Sequence, residues 1–193
     1  TLAGPNGTSG FRIDGLDTDH AVGAALSAAG DVNGDGFADI VFGARGADPS
    51  GVTDAGSTYL VFGRAGAYTP TLALDQLDGG NGLRLDGVAA ADYSGSAASA
   101  AGDFNGDGYG DLVIGAPGVD GPAGTDAGAA YVVFGRADGF GSTLGLGALD
   151  GSDGFRIDAE IAGARLGQSV AAAGDVNGDG LGDLIVGANG TAY

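Results

Sequence analysis

The sequence contains no cysteine, lysine, methionine or tryptophan, and only one histidine and one glutamate among its 193 residues. The absence of cysteine excludes a disulfide framework, a thiolate metal site and a cysteine nucleophile. Without lysine or cysteine, catalysis within this chain would need a pair of carboxylates or a metal-activated water. No run of residues approaches the roughly 18 apolar positions of a membrane helix, and no signal-like segment follows Thr1. We therefore expect no membrane span and a chain that has been processed or excised.

Positive charge is also scarce in this chain. Seven arginines oppose 24 aspartates and Glu160, which gives a formal net charge of −18. Nucleic acid is a poor partner for such a surface. Aspartate is used in place of glutamate almost without exception, and short carboxylates in turns cap the chain, bend it or bind cations. The bias towards aspartate predicts metal binding.

Glycine, in contrast, is abundant, with 43 residues beside 5 prolines. Such a content is close to that of low-complexity or disordered chains. However, short apolar runs recur evenly, for example at residues 40–42 and 112–114, and disordered segments show no such recurrence. The glycines also lack the every-third-residue period of collagen. The chain is therefore predicted to fold.

An internal repeat organises the sequence. The segments AGDVNGDGFADIVFGA, AGDFNGDGYGDLVIGA and AGDVNGDGLGDLIVGA begin their acidic loops at Asp31, Asp103 and Asp175, and both intervals are 72 residues. The same period relates the segments FRID, LRLD and FRID, and also the segments YLVFGR and YVVFGR. Five of the seven arginines recur at this period. Their recurrence favours a structural role for these five over a binding role.

Each repeat is predicted to contain four short strands, at about residues 20–28, 38–43, 57–63 and 82–86 in the first copy. The first run is alanine-rich and suits a helix on propensity, but its glycines and short length favour a strand. Four strands in a 72-residue unit are typical of a β-propeller blade. A parallel β-helix is the alternative, although its rungs are usually shorter. The predicted fold class is all-β, with four-stranded antiparallel propeller blades in an incomplete ring.

The acidic loop of each repeat carries the chemistry. Positions 1, 3, 5 and 9 of the first loop have side-chain oxygens, and the residues at these positions are Asp31, Asn33, Asp35 and Asp39. The backbone carbonyl of Phe37, at position 7, can join them. Alternate residues of a tight coil point inward, and glycine at position 6 permits the sharp bend. Five oxygens without nitrogen or sulfur favour calcium over zinc, copper or magnesium.

The same ligand set recurs in the other two loops. The predicted ligands are Asp103, Asn105, Asp107, Asp111 and the Tyr109 carbonyl in the second loop, and Asp175, Asn177, Asp179, Asp183 and the Leu181 carbonyl in the third. Clusters of Asp, Asn and Gly are also good turn formers. Three copies, each with a position-9 aspartate that no turn requires, favour metal. An EF-hand would need a glutamate at position 12, which here falls inside an apolar strand. We expect three Ca²⁺ sites.

A second set of aspartates recurs outside these loops. Asp48 and Asp54 correspond to Asp120 and Asp126 in long loops that contain glycine and proline. They form a second cation site, a rim that contacts a ligand, or turn caps, and the sequence favours turn caps.

The combination of a DxNGDGxxD loop with a following IVFGA, VIGAP or IVGAN segment resembles the FG-GAP repeat. This repeat forms the β-propeller of integrin α subunits and occurs in many large secreted bacterial proteins. The resemblance covers nearly the whole chain, and residues 115–117 reproduce its GAP element. It implies calcium on the blade loops, a disc of four-stranded blades and ligand binding on a face of the disc. A complete ring needs about four to eight blades, whereas 193 residues hold about 2.7 repeats of 72.

The repeat also predicts the domain organisation. Residues 1–15 form a tail that carries the last strand of a preceding blade, residues 16–87 form blade 1, residues 88–159 form blade 2 and residues 160–193 form part of blade 3. Such an array would leave apolar faces and strand edges uncovered. We therefore expect either a piece of a longer array or self-association that completes the ring.

These observations predict a calcium-binding, non-enzymatic extracellular module for adhesion or ligand binding, which is part of a larger secreted or cell-surface protein. Its ligand would be a protein or a glycan, and the sequence names neither. One alternative is a non-catalytic accessory or spacer domain of a secreted hydrolase. Another is a propeller lectin, against which the absence of tryptophan counts. Nearly every ionisable group repeats, whereas active sites usually break the symmetry of a repeat, so no catalytic residue is expected.

Overall fold

The computed structural model describes residues 4, 6–15, 20–189 and 191–192, the last two through their backbone only. The described residues form fourteen β-strands and three single-turn 3-10 helices, Pro49–Gly51, Leu74–Gln76 and Leu146–Ala148. The all-β prediction is confirmed. Within these residues no helix has the length and apolar character needed to cross a membrane.

The strands are numbered in chain order. They are β1 (Arg12–Asp14), β2 (Leu26–Gly30), β3 (Asp39–Ala44), β4 (Ser57–Val61), β5 (Thr71–Ala73), β6 (Gly82–Asp86), β7 (Ala97–Gly102), β8 (Asp111–Ala116), β9 (Ala129–Val133), β10 (Thr143–Gly145), β11 (Gly154–Asp158), β12 (Ser169–Gly174), β13 (Asp183–Ala188) and β14 (Thr191–Ala192).

Three antiparallel sheets follow one another along the chain. Strands β2, β3, β4 and β6 form the first, β7, β8, β9 and β11 form the second, and β12, β13 and β14 form the third. Strand β7 lies between β2 and β12 and contacts both, so the first strands of successive sheets are neighbours. The sheets are propeller blades arranged as an open ring, as predicted.

The first strand of each blade differs from the prediction. It was expected at residues 20–28, but β2 runs from Leu26 to Gly30. Ala21 and Gly23 adopt positive φ angles of 51° and 87°, so the chain turns there and enters the sheet later. The other predicted strands lie within two residues of β3, β4 and β6. The choice of a strand over a helix is correct.

Two short strands, β5 and β10, were not predicted. Each lies in the long connection between the third and fourth strands of a blade. Strand β10 pairs in parallel with β6 of the preceding blade, and β5 pairs in the same way with β1. Because β1 and β6 occupy equivalent positions of the 72-residue repeat, both pairings have the same geometry.

Close backbone contacts join neighbouring blades. A Cβ atom added at Gly43 in β3 would overlap the carbonyl oxygen of Gly95, and one at Gly115 in β8 would overlap that of Gly167. Val41 and Val113, in the middle of these strands, are fully buried. Glycine at these positions therefore allows the backbone of one blade to approach the next and bury the apolar strands.

The five repeated arginines have partners close by in the chain. Arg12, Arg84 and Arg156 each pair with the aspartate two residues later, Asp14, Asp86 and Asp158. The guanidinium carbons of Arg64 and Arg136 lie 4.6 Å and 4.5 Å from the ring centroids of Tyr68 and Phe140. These contacts support the structural role inferred from their recurrence.

Candidate metal-binding loops

Each acidic loop connects the first two strands of a blade. The loop starts directly after the first strand, and its position 9 is the first residue of the second strand, which is Asp39 in β3, Asp111 in β8 and Asp183 in β13. Glycines at positions 4 and 6 have positive φ angles in all three copies, 73° and 89° at Gly34 and Gly36. The backbone can therefore coil tightly within nine residues.

The aspartate at position 1 faces the inside of this coil. Its Oδ2 atom in Asp31 accepts a hydrogen bond from the N–H group of Gly36 at 2.9 Å, and the same bond forms at Asp103 and Asp175 at the same distance. In the first and third loops its Oδ1 atom accepts the N–H group of position 5. The carboxylate thus points at the loop backbone in every copy.

Positions 3 and 5 are linked to each other. The amide nitrogen of Asn33 donates to Asp35 Oδ2 at 3.0 Å, while Asn33 Oδ1 accepts the N–H group of Asp35 at 3.1 Å. Asp35 Oδ1 accepts the N–H group of Phe37 at 2.9 Å. The second and third loops repeat all three bonds. The predicted side-chain ligands at positions 1, 3 and 5 therefore lie on one short coil.

The carbonyl groups at position 7 have no hydrogen-bond donor among the described residues. None of the hydrogen bonds in this part of the chain ends on the carbonyl oxygen of Phe37, Tyr109 or Leu181. The side chains of Tyr109 and Leu181 instead pack on Gly34 and Gly106 of the preceding blade. Position 7 therefore fixes one loop against the next and leaves its carbonyl oxygen able to accept another partner.

The aspartate at position 9 has a second role that the sequence did not reveal. Asp39 Oδ2 accepts the N–H group of Val32, and Asp39 Oδ1 accepts that of Gly63, both at 2.8 Å. Asp111 binds Phe104 and Gly135 in the same way. A metal is therefore not the sole explanation for this aspartate, because it also ties the loop to the end of the third strand. The recurrence of Gly63 as Gly135 was the signal in the sequence.

Burial makes a negative charge on the position-9 aspartate energetically costly. Asp39 and Asp111 are 1% and 0% exposed. Burial raises the pKa of both carboxyl groups, and the N–H donors named above oppose this rise. Nearby carboxylates raise the pKa further, those of Asp35 and Asp31 for Asp39 and that of Asp107 for Asp111. A cation in the loop would relieve this repulsion.

One atom in the second loop lacks the partner that its burial demands. Asp103 Oδ1 is buried and has no hydrogen-bond partner among the described residues. A buried carboxylate oxygen without a partner is costly, and a hard cation is the partner that suits it. The described parts of the chain hold no group of three or more His, Cys, Asp or Glu side chains arranged to bind a metal ion. The Asn105 amide and the Tyr109 carbonyl are further oxygen donors of other types. The donor set, although not its spacing, fits calcium.

Two aspartates of the second set, Asp48 and Asp120, cap turns. Asp48 Oδ1 accepts the N–H group of Asp54 at 2.7 Å, and Asp120 Oδ1 accepts that of Asp126 at 2.9 Å. This is the role that the sequence favoured for Asp48 and Asp120.

A family model for the FG-GAP repeat matches residues 22–61, 94–133 and 166–193. Together these segments make up more than half of the chain, and each contains one acidic loop. The chain belongs to the FG-GAP repeat family. The resemblance inferred from the sequence is thereby confirmed, together with the integrin-like propeller architecture.

Relatives of this FG-GAP chain include a larger enzyme. The chain is 36% identical over 166 residues to phosphatidylinositol-glycan-specific phospholipase D from Bos taurus and to the protein of that name from Homo sapiens. The Rattus norvegicus protein is 33% identical over 161 residues. The alignments cover 86%, 86% and 83% of this chain but 18% of each relative. The chain thus spans less than a fifth of these proteins.

Proposed function

We propose that this FG-GAP chain is a calcium-stabilised, non-catalytic ligand-binding module of a secreted or cell-surface protein. The observation that carries the proposal is the buried, unpartnered Oδ1 atom of Asp103 within a loop geometry that recurs in three copies. The residues that would hold the ion in each loop are those at positions 1, 3, 5, 7 and 9. Bound calcium would offset two of the three negative charges of a loop and hold the two strands that the loop connects.

Charge supports calcium in these loops. The three loops contain nine aspartates, which is half of the formal charge of −18. Their mutual repulsion opposes folding, and a cation that binds only the folded loop adds its binding free energy to stability. Oxygen ligands on a flexible loop suit calcium better than magnesium, which demands near-octahedral geometry.

Calcium titration by isothermal calorimetry tests the proposal. We expect three sites, with heat that disappears when chelator is present. Magnesium at the same concentration is the matched control and should produce little heat. A chain that is folded in chelator and binds no calcium would contradict the proposal.

The absence of catalysis is part of the same proposal. Most ionisable groups repeat with the blades, and those in the acidic loops are engaged by the loop backbone. We expect the purified chain to hydrolyse no glycoside, ester or phosphodiester substrate above the buffer rate. Turnover that is lost on substitution of one aspartate outside the loops would show an active site.

A second candidate function is an accessory domain of a secreted hydrolase. The similarity to proteins named phospholipase D favours it, because this chain matches only 18% of their length. In that case the module would position or stabilise a catalytic domain that lies outside these residues. Sequence beyond this segment distinguishes the two functions, because further repeats support adhesion and a catalytic motif supports the accessory role.

The proposed partners include further blades. Ile185 in β13 is 47% exposed, whereas the equivalent Val113 in β8 is fully buried by the next blade. Blades of a second copy or of a longer chain would bury this face. Mass measurement under native conditions tests self-association, and a monomer at all concentrations would exclude it.

A further inference from the structure

A cavity of about 500 Å³ opens among the three blades, away from the acidic loops. Strand β3 begins with Asp39 at its loop and ends with Ala44, directly before Arg45, which lines the cavity. Six residues of strand separate the two features by roughly 20 Å at 3.3 Å per residue. The cavity and the loops therefore lie at opposite ends of the strand and can be tested separately.

The cavity is built from equivalent positions of the repeat whose side chains differ. Ala21, Tyr93 and Arg165 are separated by 72 residues, and all three line the cavity. Their φ angles of 51°, 54° and 54° are nearly identical. The fold therefore fixes the backbone, which at such angles would favour glycine, while the side chain changes from methyl to phenol to guanidinium.

The two arginines that do not follow the repeat both line this cavity. Arg45 and Arg165 correspond to other residue types in the remaining copies, whereas the other five arginines recur. Those five have neighbouring aspartate or aromatic partners within the fold. In a chain with a formal charge of −18, the placement of both non-repeated cations around one cavity creates a local site for an anionic group.

The cavity also contains carboxylates, in two different settings. Asp126 Oδ2 lies 3.3 Å from Arg165 Nη2, which orients the guanidinium. The Arg165 N–H group donates to the Asp126 carbonyl at 3.1 Å. At the equivalent position one repeat earlier, the Tyr93 N–H group donates to the Asp54 carbonyl at the same distance. Asp54 and Tyr93 therefore place a carboxylate beside an aromatic ring, where Asp126 and Arg165 form an ion pair. Ser96 and Gln168, at one repeat position, add neutral polar groups.

We propose that this cavity binds a saccharide that carries a carboxylate, such as a uronic acid unit. Arg45 and Arg165 bind the carboxylate, Asp54 and Asp126 accept hydroxyl groups, and the ring of Tyr93 packs on the apolar face of the sugar. The proposal rests on the ligand-binding function proposed above and names the class of ligand. The volume suits one or two sugar rings, because ligand cavities commonly measure about 300–1,000 Å³.

Other anions fit the charges less well. Sulfate has no hydroxyl donor for Asp54 and Asp126, and inorganic phosphate has no sugar ring that could pack on Tyr93. A neutral sugar offers the two arginines hydroxyl acceptors but no negative charge, so it cannot form the charge-assisted hydrogen bonds. An amino acid matches both charges but fills only a small part of a cavity of about 500 Å³.

Binding of D-glucuronate to the chain in saturating calcium, followed by calorimetry, tests the proposal. Glucuronate should bind more tightly than D-glucose, inorganic phosphate or L-glutamate. Arg45→Gln and Arg165→Gln should each weaken binding by about tenfold or more, because each removes a charge-assisted hydrogen bond. Tyr93→Asn should also weaken it, and asparagine tolerates the left-handed backbone at this position. Arg12→Gln, which removes an arginine outside the cavity, is the matched control and should not change binding.

Several results would overturn the proposal. These are no glucuronate binding, equal binding of glucose, phosphate or glutamate, or unchanged binding by both Arg45→Gln and Arg165→Gln. Calcium stoichiometry measured on the same samples separates this proposal from the one before it. Three calcium sites without glucuronate binding overturn the saccharide site alone, whereas glucuronate binding without calcium sites supports it and contradicts the calcium proposal.

Discussion

Asp39 and Gly63 are joined by a hydrogen bond of 2.8 Å between residues 24 positions apart, and Asp111 and Gly135 repeat it in the next blade. The bond connects the end of an acidic loop to the second residue after the third strand of the blade. A buried carboxylate therefore holds three strands of a blade in register. The loop contributes to the fold through its backbone contacts as well as through any ion that it binds.

Calcium should raise the thermal stability of the chain. An ion bound only by the folded state at about 100 times its Kd adds about 2.7 kcal/mol per site. We expect the Tm, followed by circular dichroism, to fall markedly in chelator and to recover when millimolar calcium is added. Magnesium should restore little of the loss. A melting curve that responds to neither chelator nor calcium would contradict the prediction.

Asp107→Ala should remove one of the three calcium sites. Asp107 is position 5 of the second loop, and its side chain accepts hydrogen bonds from Asn105 and Tyr109. Calorimetry should show two sites in place of three. Asp138→Ala removes an exposed aspartate from a connection outside the acidic loops and should leave three. Equal stoichiometry in the two variants would exclude Asp107 as a ligand.

Asp111→Asn should destabilise the chain even in chelator. The amide has only one oxygen, so either Gly135 or Phe104 loses its acceptor in a fully buried position. An unsatisfied buried donor costs about 1–3 kcal/mol. Urea unfolding in chelator measures this cost without metal. Asp107→Asn, in an exposed position, should cost less, and an equal cost would show that position 9 has no separate structural role.

Asp92 should make stability depend on pH. It is 5% exposed, burial raises the pKa of its carboxyl group, and its Oδ2 atom accepts the N–H group of Ala89. Because the folded-state pKa lies above the unfolded value, the penalty for the buried charge is complete above the folded pKa and decreases as pH falls through it.

Comparison of the wild type with Asp92→Asn isolates this effect. The free energy of unfolding of the wild type, relative to the variant, should rise as pH is lowered from 7 towards the acidic range. Urea unfolding at a series of pH values measures it. Asp138→Asn corrects for the change in surface charge. A difference between wild type and Asp92→Asn that is constant with pH would contradict the prediction.

Gly43→Ala should weaken the contact between the first two blades. The added methyl group would overlap the carbonyl oxygen of Gly95, and forced expansion of a packed contact costs about 1–3 kcal/mol or more. Gly145→Ala is the matched control, because Gly145 has no positive φ and a methyl group added there would have no other atom within 4 Å. Equal denaturation midpoints for the two variants would show that the blades do not approach so closely.

The local features of the fold were predictable from the sequence, and the features that join distant residues were not. The tight coil of each acidic loop and strands β3, β4 and β6 follow from patterns within a few residues. The partner of Asp39 lies 24 residues away, so only the folded blade shows it. The start of strand β2 was predicted too early because an alanine-rich run shows no alternation of apolar and polar residues. The turn at Ala21 arises from its positive φ angle, which the residue type does not indicate. The sequence did indicate the cavity, because Arg45 and Arg165 depart from the residue types at the equivalent positions of the other repeats.

Because β10 pairs in parallel with β6, the boundaries of a folded blade do not coincide with the boundaries of the 72-residue sequence repeat. Residues 143–145 of the second repeat complete the sheet of the first. A cut after residue 87 would therefore leave the first blade with an exposed outer edge, ready to pair with other chains and aggregate. Cooperative unfolding should extend across repeat boundaries, and excision of a single stable blade would require part of its successor.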